Sequence, residues 1–145
     1  MTYRAPLRSL TLALHAAGHR DLLGRAFVDL DADTVAALLE SAGAFAENEL
    51  APLNRVGDQV GARYENGKVT APPGFVQAYR AFAAQGWNGI AAPAEYGGQG
   101  LGKTLELAVF EMFSSANMAF VLCPMLGHGA VEALIRHGSA RQKAM

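Results

Sequence analysis

Gly97, Gly98, Gly100 and Gly102 crowd into six positions of a 145-residue chain, between two stretches of helical periodicity. Glycine gives up more freedom on ordering than any other residue and tolerates positive φ, so this run breaks the chain into a loop. Before it, Pro73 is placed to start a helix with Phe75, Val76, Tyr79 and Phe82 on one face, ended by Gly86. After it, Leu105, Ala108, Val109, Met112 and Phe113 recur at three- and four-residue steps and mark the clearest amphipathic helix in the chain. Upstream, Asp31 or Asp33 can cap a helix carrying Val35, Leu38, Leu39, Ala42, Phe45 and Ala46, which is expected to stop near Pro52. Downstream, Pro124 is expected to open a helix that runs to His137, with Gly138 as its left-handed stop. Asn66-Gly67 between Tyr64 and Val69 suggests a small hairpin. The architecture this predicts is an all-α, up-and-down helical bundle with at most one small hairpin.

Within the same loop, Gly97 to Thr104 fits G-x-x-x-x-G-K-T, the pattern of a phosphate-binding loop. That chemistry requires a buried parallel strand feeding the loop, and the preceding residues, Trp87 to Tyr96, lack a β-branched run and contain Pro93. It also calls for a later Asp to help hold magnesium, and none follows Asp58. A P-loop nucleotide-binding protein is therefore the remote alternative.

With 51% hydrophobic and 17% charged residues the chain can bury a core, and its length suits one domain. A net charge of -1 without a basic cluster argues against nucleic acid. One cysteine excludes a disulfide framework and fits a reducing cytoplasm. No uninterrupted apolar run reaches the roughly 20 residues of a membrane span, and no signal peptide is read at the amino terminus. Ser139 and Gln142 form a capping box for one more helix, yet only about one and a half turns remain before Met145. So short a helix is unstable alone, which suggests the first domain of a longer protein, cut within its last helix.

The run Gly86-Trp87-Asn88-Gly89-Ile90-Ala91-Ala92-Pro93-Ala94-Glu95-Tyr96-Gly97-Gly98-Gln99-Gly100-Leu101 resembles the loop in the amino-terminal helical domain of acyl-CoA dehydrogenases. Leu126-Gly127-His128-Gly129, followed by Ile135-Arg136-His137-Gly138-Ser139-Ala140-Arg141-Gln142-Lys143, resembles that family's next two helices. Two ordered motifs at compatible spacing are far more specific than one eight-residue pattern. The start, Tyr3-Arg4-Ala5-Pro6-Leu7-Arg8, is similar to the larger, N-terminally extended members. Residues 1–30 then read as an extension and 31–145 as the helical domain.

The resemblance implies a parent flavoenzyme that uses FAD to oxidise an acyl-CoA to the 2,3-enoyl thioester. It implies an electron-transferring flavoprotein or similar acceptor, and a homo-oligomer, dimer or tetramer. In the family a carboxylate removes the α proton while the flavin accepts the β hydride; the catalytic glutamate lies beyond this segment, so no catalytic residue is assigned here. Aligning Leu126-Gly127 with the family's leucine and glycine puts Leu122, Cys123 and Leu126 at positions that line the fatty chain, although an ordinary helix core would use the same residue types. Tyr96 is a candidate interdomain contact. A non-catalytic helical protein-interaction module is the competing function, its apolar surface docking a partner.

Other chemistry-bearing residues have plainer readings. Glu106 and Glu111, five residues apart, point about 140 degrees apart on a helix and read as solvated surface carboxylates. Glu95 reads as tying backbone groups in the loop. Cys123 before Pro124 reads as a small buried hydrophobe if it is not pocket-lining. His15 and His19 share a helix spacing but lack a third metal ligand, and His137 suits the negative end of a helix.

Overall fold

The computed structural model describes residues 3–23, 25, 27 and 30–144. The first helix, α1 (Leu7–Ala16), has the spacing Leu7, Leu10, Leu14; Leu10 and Leu14 are buried in the common core, and Gly18 at φ 76° ends it. The segment was expected only as an extension ahead of the first strong helix. The segment before α1 is strapped down at both sides. The Tyr3 hydroxyl donates to the Met112 carbonyl at 3.0 Å, and the Ala5 amide and Arg4 guanidinium each donate to the Glu47 carboxylate at 2.8 Å.

Asp31 caps α2 (Ala32–Phe45), its carboxylate accepting from the Thr34 amide at 2.7 Å. The helix does not stop near Pro52 as expected. It passes through a π-helical turn, Ala46–Leu50, into α3 (Ala51–Val60), and Pro52 sits in the first turn of α3, where a missing amide hydrogen is least costly. Ala46 and Leu50 are fully buried. The hairpin follows: β1 (Arg63–Glu65) pairs antiparallel with β2 (Lys68–Thr70), Tyr64 opposite Val69. Asn66 and Gly67 at φ 52° and 77° make the turn, the two left-handed residues that a tight hairpin of this hand requires.

The next helix, α4 (Phe75–Ala84), starts two residues after Pro73 and ends at Gly86 with φ 78°, as its pattern predicts. Its Phe82 is the centre of the core: the rings of Phe113, Phe120 and Phe110 stand 5.9, 5.8 and 6.2 Å away, all edge-on. That is the arrangement aromatic quadrupoles favour. Trp87 completes the cluster edge-on to Phe113 at 5.4 Å.

The longest helical run is α5 (Lys103–His137), followed by α6 (Ala140–Lys143), which the Ser139–Gln142 capping box starts. Asn117 in α5 has φ −159° and ψ 86° and breaks the run. Residues 103–116 and 118–137 are two limbs that fold back on each other. Glu106 of the first limb comes within 3.5 Å of His128 of the second, whereas a straight helix would separate them by about 33 Å. The turn expected at Pro124 therefore lies seven residues earlier. Asn117 supplies what a reversal needs: its Oδ1 accepts from the Phe120 amide at 3.0 Å, a cap for the second limb, while its Nδ2 donates to the Leu50 carbonyl at 3.1 Å. Gly138 stops α5 in an extended conformation and not a left-handed one. A side chain there would run into the Leu134 backbone.

By length and composition α5 is apolar enough to cross a bilayer. The absence of an apolar run of that size, expected from the sequence, therefore does not describe α5 as a whole. In the structure the reversal folds it on itself, and its first limb, with Leu105, Val109, Met112 and Phe113 fully buried, is the core helix against α2 and α3.

Candidate functional site

The glycine-rich loop is rigid by construction. It folds back on residues 86–92: the amides of Gln99, Gly100 and Leu101 donate to the carbonyls of Gly89, Ala92 and Ile90 at 2.8, 2.9 and 2.8 Å. The Gln99 side-chain amide adds a bond to the Gly86 carbonyl at 2.9 Å. Gly97 and Gly100 have φ of 81° and 67°, whereas Gly98 and Gly102 are set by space: a Cβ would meet the Ala92 carbonyl at the first and the Phe27 ring at the second. No parallel strand enters this loop among the described residues, and Pro93 leads into a 3-10 turn, Ala94–Tyr96. The frame of a phosphate-binding loop is absent there.

Between the loop and the second limb of α5 lies a cleft of about 440 Å³, walled by Pro93, Tyr96 and Gln99 on one side and Val131, Leu134 and Ile135 on the other, with Lys143 of α6 at its edge. Most of its wall is apolar, and Lys143 is its only cation among the described residues.

Next to it the two limbs of α5 enclose a charged cluster. Glu106 is buried, its Oε2 accepting from Lys103 Nζ at 2.9 Å and its Oε1 lying 3.5 Å from His128 Nδ1. The His128 ring stands edge-on to Phe110 at 4.5 Å, and its Nε2 is buried with no hydrogen-bond partner among the described residues. Glu132, one turn on, is held below the usual carboxylate range by its bond from Arg136.

The outward face of the second limb carries Met118, Leu122, Met125 and Leu126, all exposed, Leu126 at 74%. At about 100 degrees per residue they span roughly 100 degrees of the helix, opposite the side on which Phe120, Val121 and Pro124 are buried. A continuous exposed apolar stripe of this kind marks a surface made to be covered.

A sequence profile described as acyl-CoA dehydrogenase, N-terminal domain, matches residues 32–145. The chain belongs to the acyl-CoA dehydrogenase family. It is 40% identical to the 3-methylmercaptopropionyl-CoA dehydrogenase of Ruegeria pomeroyi over 146 residues, which cover 99% of this chain and 25% of the relative. The chain thus spans about a quarter of that relative's length.

Within this acyl-CoA dehydrogenase domain the three residues assigned to the acyl chain share the second limb, and none of them lines the cleft. Leu122 lies at the middle of the exposed stripe and Leu126 at its edge. Cys123 is exposed at its margin, about 100 degrees round from Leu122, and not buried as its place before Pro124 suggested. Tyr96 is half exposed and lines the cleft. Glu95 is exposed and its carboxylate makes no hydrogen bond among the described residues, so it does not tie the loop; Gln99 does.

The expectation of two solvated carboxylates holds for Glu111, which is exposed, and fails for Glu106. The helical angle separating the two was sound. Only the reversal at Asn117, invisible to a periodicity argument, brings the second limb over Glu106 and covers it. His15 and His19 are not on one helix face, since Gly18 ends α1 between them; His19 is buried in the next turn beside Phe27, and no group of three metal ligands occurs among the described residues. His137 is the last residue of α5, at the negative end of the helix.

Proposed function

We propose that this chain is the amino-terminal domain of an FAD-dependent acyl-CoA dehydrogenase that converts an acyl-CoA to its 2,3-enoyl form, the second limb of α5 forming one wall of the acyl pocket. The observation that carries this reading is the exposed stripe of Met118, Leu122, Met125 and Leu126 in a domain of this family. Apolar side chains are suited to that wall because each methylene they cover is worth about 0.8 kcal/mol and leaves no polar atom unpaired. Cys123 borders the same wall, and Tyr96 is proposed to meet the neighbouring domain across the cleft. The identity to an enzyme named for 3-methylmercaptopropionyl-CoA supports a short, thioether-containing acyl group as the substrate class.

The residues described here do not make a dinucleotide site. Lys103 is engaged by Glu106, and the cleft offers Lys143 alone, too little for a pyrophosphate. The flavin and the catalytic carboxylate are accordingly assigned to the portion of the parent that this chain does not span. What this domain does is bind the acyl chain, orient it and keep water from it. An electron-transferring flavoprotein or similar acceptor, a homo-oligomeric dimer or tetramer, residues 1–30 as an extension of the domain, and a cytoplasmic location belong to the same proposal.

The test is anaerobic titration of the full-length protein with acyl-CoAs while following the visible flavin absorbance. Bleaching by one of them is the expected result. A full-length protein that binds no flavin would leave a helical interaction module, docking a partner through the same stripe, as the function. Leu126→Asp is expected to weaken acyl-CoA binding at least tenfold without changing flavin content, since it puts a charge where about two methylenes' worth of contact and more is lost.

A further inference from the structure

The exposed stripe has an uneven chemistry. Met118 and Met125 stand two turns apart, about 10 Å along the axis and within roughly 20 degrees of each other around it, with Leu122 between them. Both are exposed, at 52% and 42%, whereas Met112 of the first limb is fully buried in the core. Leucine would cover the same area with stiffer side chains. Methionine differs in having a polarizable sulfur on an unbranched, adaptable stem. Both stems stand on the face that carries Leu122, so a group laid along that face meets two thioethers as well as leucine.

Resting on the proposed acyl wall, we infer that Met118 and Met125 are specificity-determining residues that select a thioether sulfur in the acyl chain over a methylene at the same place. Dispersion attraction grows with the polarizability of both partners, and each contact is small, so selectivity needs several sulfur contacts at once. Two flexible methionines on the same face of the wall supply them. A wall of leucines would bind the two acyl groups alike, because the sulfur and the methylene differ little in size.

The experiment compares 3-methylmercaptopropionyl-CoA with pentanoyl-CoA, which has a methylene in place of the sulfur, in the flavin-loaded full-length protein. Both kcat/KM and the Kd of each thioester, read from the flavin spectrum, are measured for the wild type, for Met118→Leu with Met125→Leu, and for Leu122→Met. The double variant is expected to lower the thioether-to-methylene ratio about two- to fivefold in both quantities, the thioether losing more than pentanoyl-CoA, and Leu122→Met is expected to raise the ratio. Unchanged ratios in well-folded variants that still turn over both thioesters overturn the assignment of the methionines. Equal loss with both substrates also overturns it, since that is the mark of a general packing role. If the wild type bleaches with another acyl-CoA but with neither of these, the assignment of the methionines is overturned with its substrate class; if it bleaches with no acyl-CoA, it is the dehydrogenase reading that fails. Circular dichroism and melting of each variant separate a folding defect from either outcome, and Leu122→Met keeps the inference open to refutation even if the double variant is unstable.

Discussion

The Asn117 side-chain amide reaches across the fold to the Leu50 carbonyl at 3.1 Å, so the reversal of α5 and the π-turn before α3 are held by one side chain. Asn117 is buried, as are Ala46 and Leu50 at the two ends of the π-turn. The π-turn places the Leu50 carbonyl against α5, and the reversal gives Asn117 the extended backbone from which it bonds in two directions.

Replacing Asn117 with leucine removes both bonds, its tie to the Leu50 carbonyl and the cap of the Phe120 amide, which is left unpaired in the core. Each buried group left without a partner costs about 1–3 kcal/mol, so Asn117→Leu should destabilise by about 2–4 kcal/mol in urea unfolding. Ser115→Ala, which deletes an exposed hydroxyl bonded within its own helix, should stay within about 0.5 kcal/mol.

The charged cluster between the limbs makes a contrasting pair. Glu106→Leu leaves the half-buried His128 without the carboxylate beside it and should cost about 1–3 kcal/mol. Lys103→Ala removes the other partner of the same carboxylate, but that side chain is half exposed and its loss should cost less than about 1 kcal/mol. If the two variants unfold alike, the burial of Glu106 is not what matters.

Two glycines should respond in opposite directions. At Gly98 a methyl group meets the Ala92 backbone, which cannot swing aside as a side chain would, so Gly98→Ala should open the loop and lower the melting temperature. Gly129 lies inside the second limb with open space around it, and Gly129→Ala should stabilise this chain by about 0.5–1 kcal/mol through helix propensity. Melting curves of both variants decide the matter.

His19 links stability to pH. Burial, with His15 nearby as a lesser cause, holds its pKa below the ordinary histidine value, so the folded state keeps the neutral ring while the unfolded chain takes up a proton. Stability from this group is full above about pH 6.5 and falls as pH drops through the lowered pKa. Glu47, its pKa lowered by the Ala5 amide and then by Arg4, loses its contribution only further down, in the carboxylate range. Urea midpoints measured across the histidine range should therefore decline toward acid, and His19→Phe, beside the Phe27 ring, should flatten that decline.

What the sequence made legible was whatever depends on neighbours three or four residues away. The Asp31 cap, the Asn66-Gly67 turn, the Gly86 stop and the Ser139 capping box all stand where their residue types demand. Pro52 and Pro124 misled for a common reason: proline marks a break only when its amide is needed, and a π-turn before Pro52 and the reversal at Asn117 remove that need or place the break elsewhere. Asn117 carries a local signal, an N-cap residue with its partner amide at Phe120, but it lies inside an apolar helical pattern that hides it, and its other partner, Leu50, is 67 residues away. The burial of Glu106 was illegible for the same cause. Cys123 misled because an apolar run looks alike whether its face meets a core or lies at the surface.

The reversal at Asn117 exists only in the folded domain. The Asn117 bond to Leu50 joins residues 67 positions apart, so a segment apolar and long enough by composition to cross a bilayer takes its bent course only through a partner far upstream in the chain.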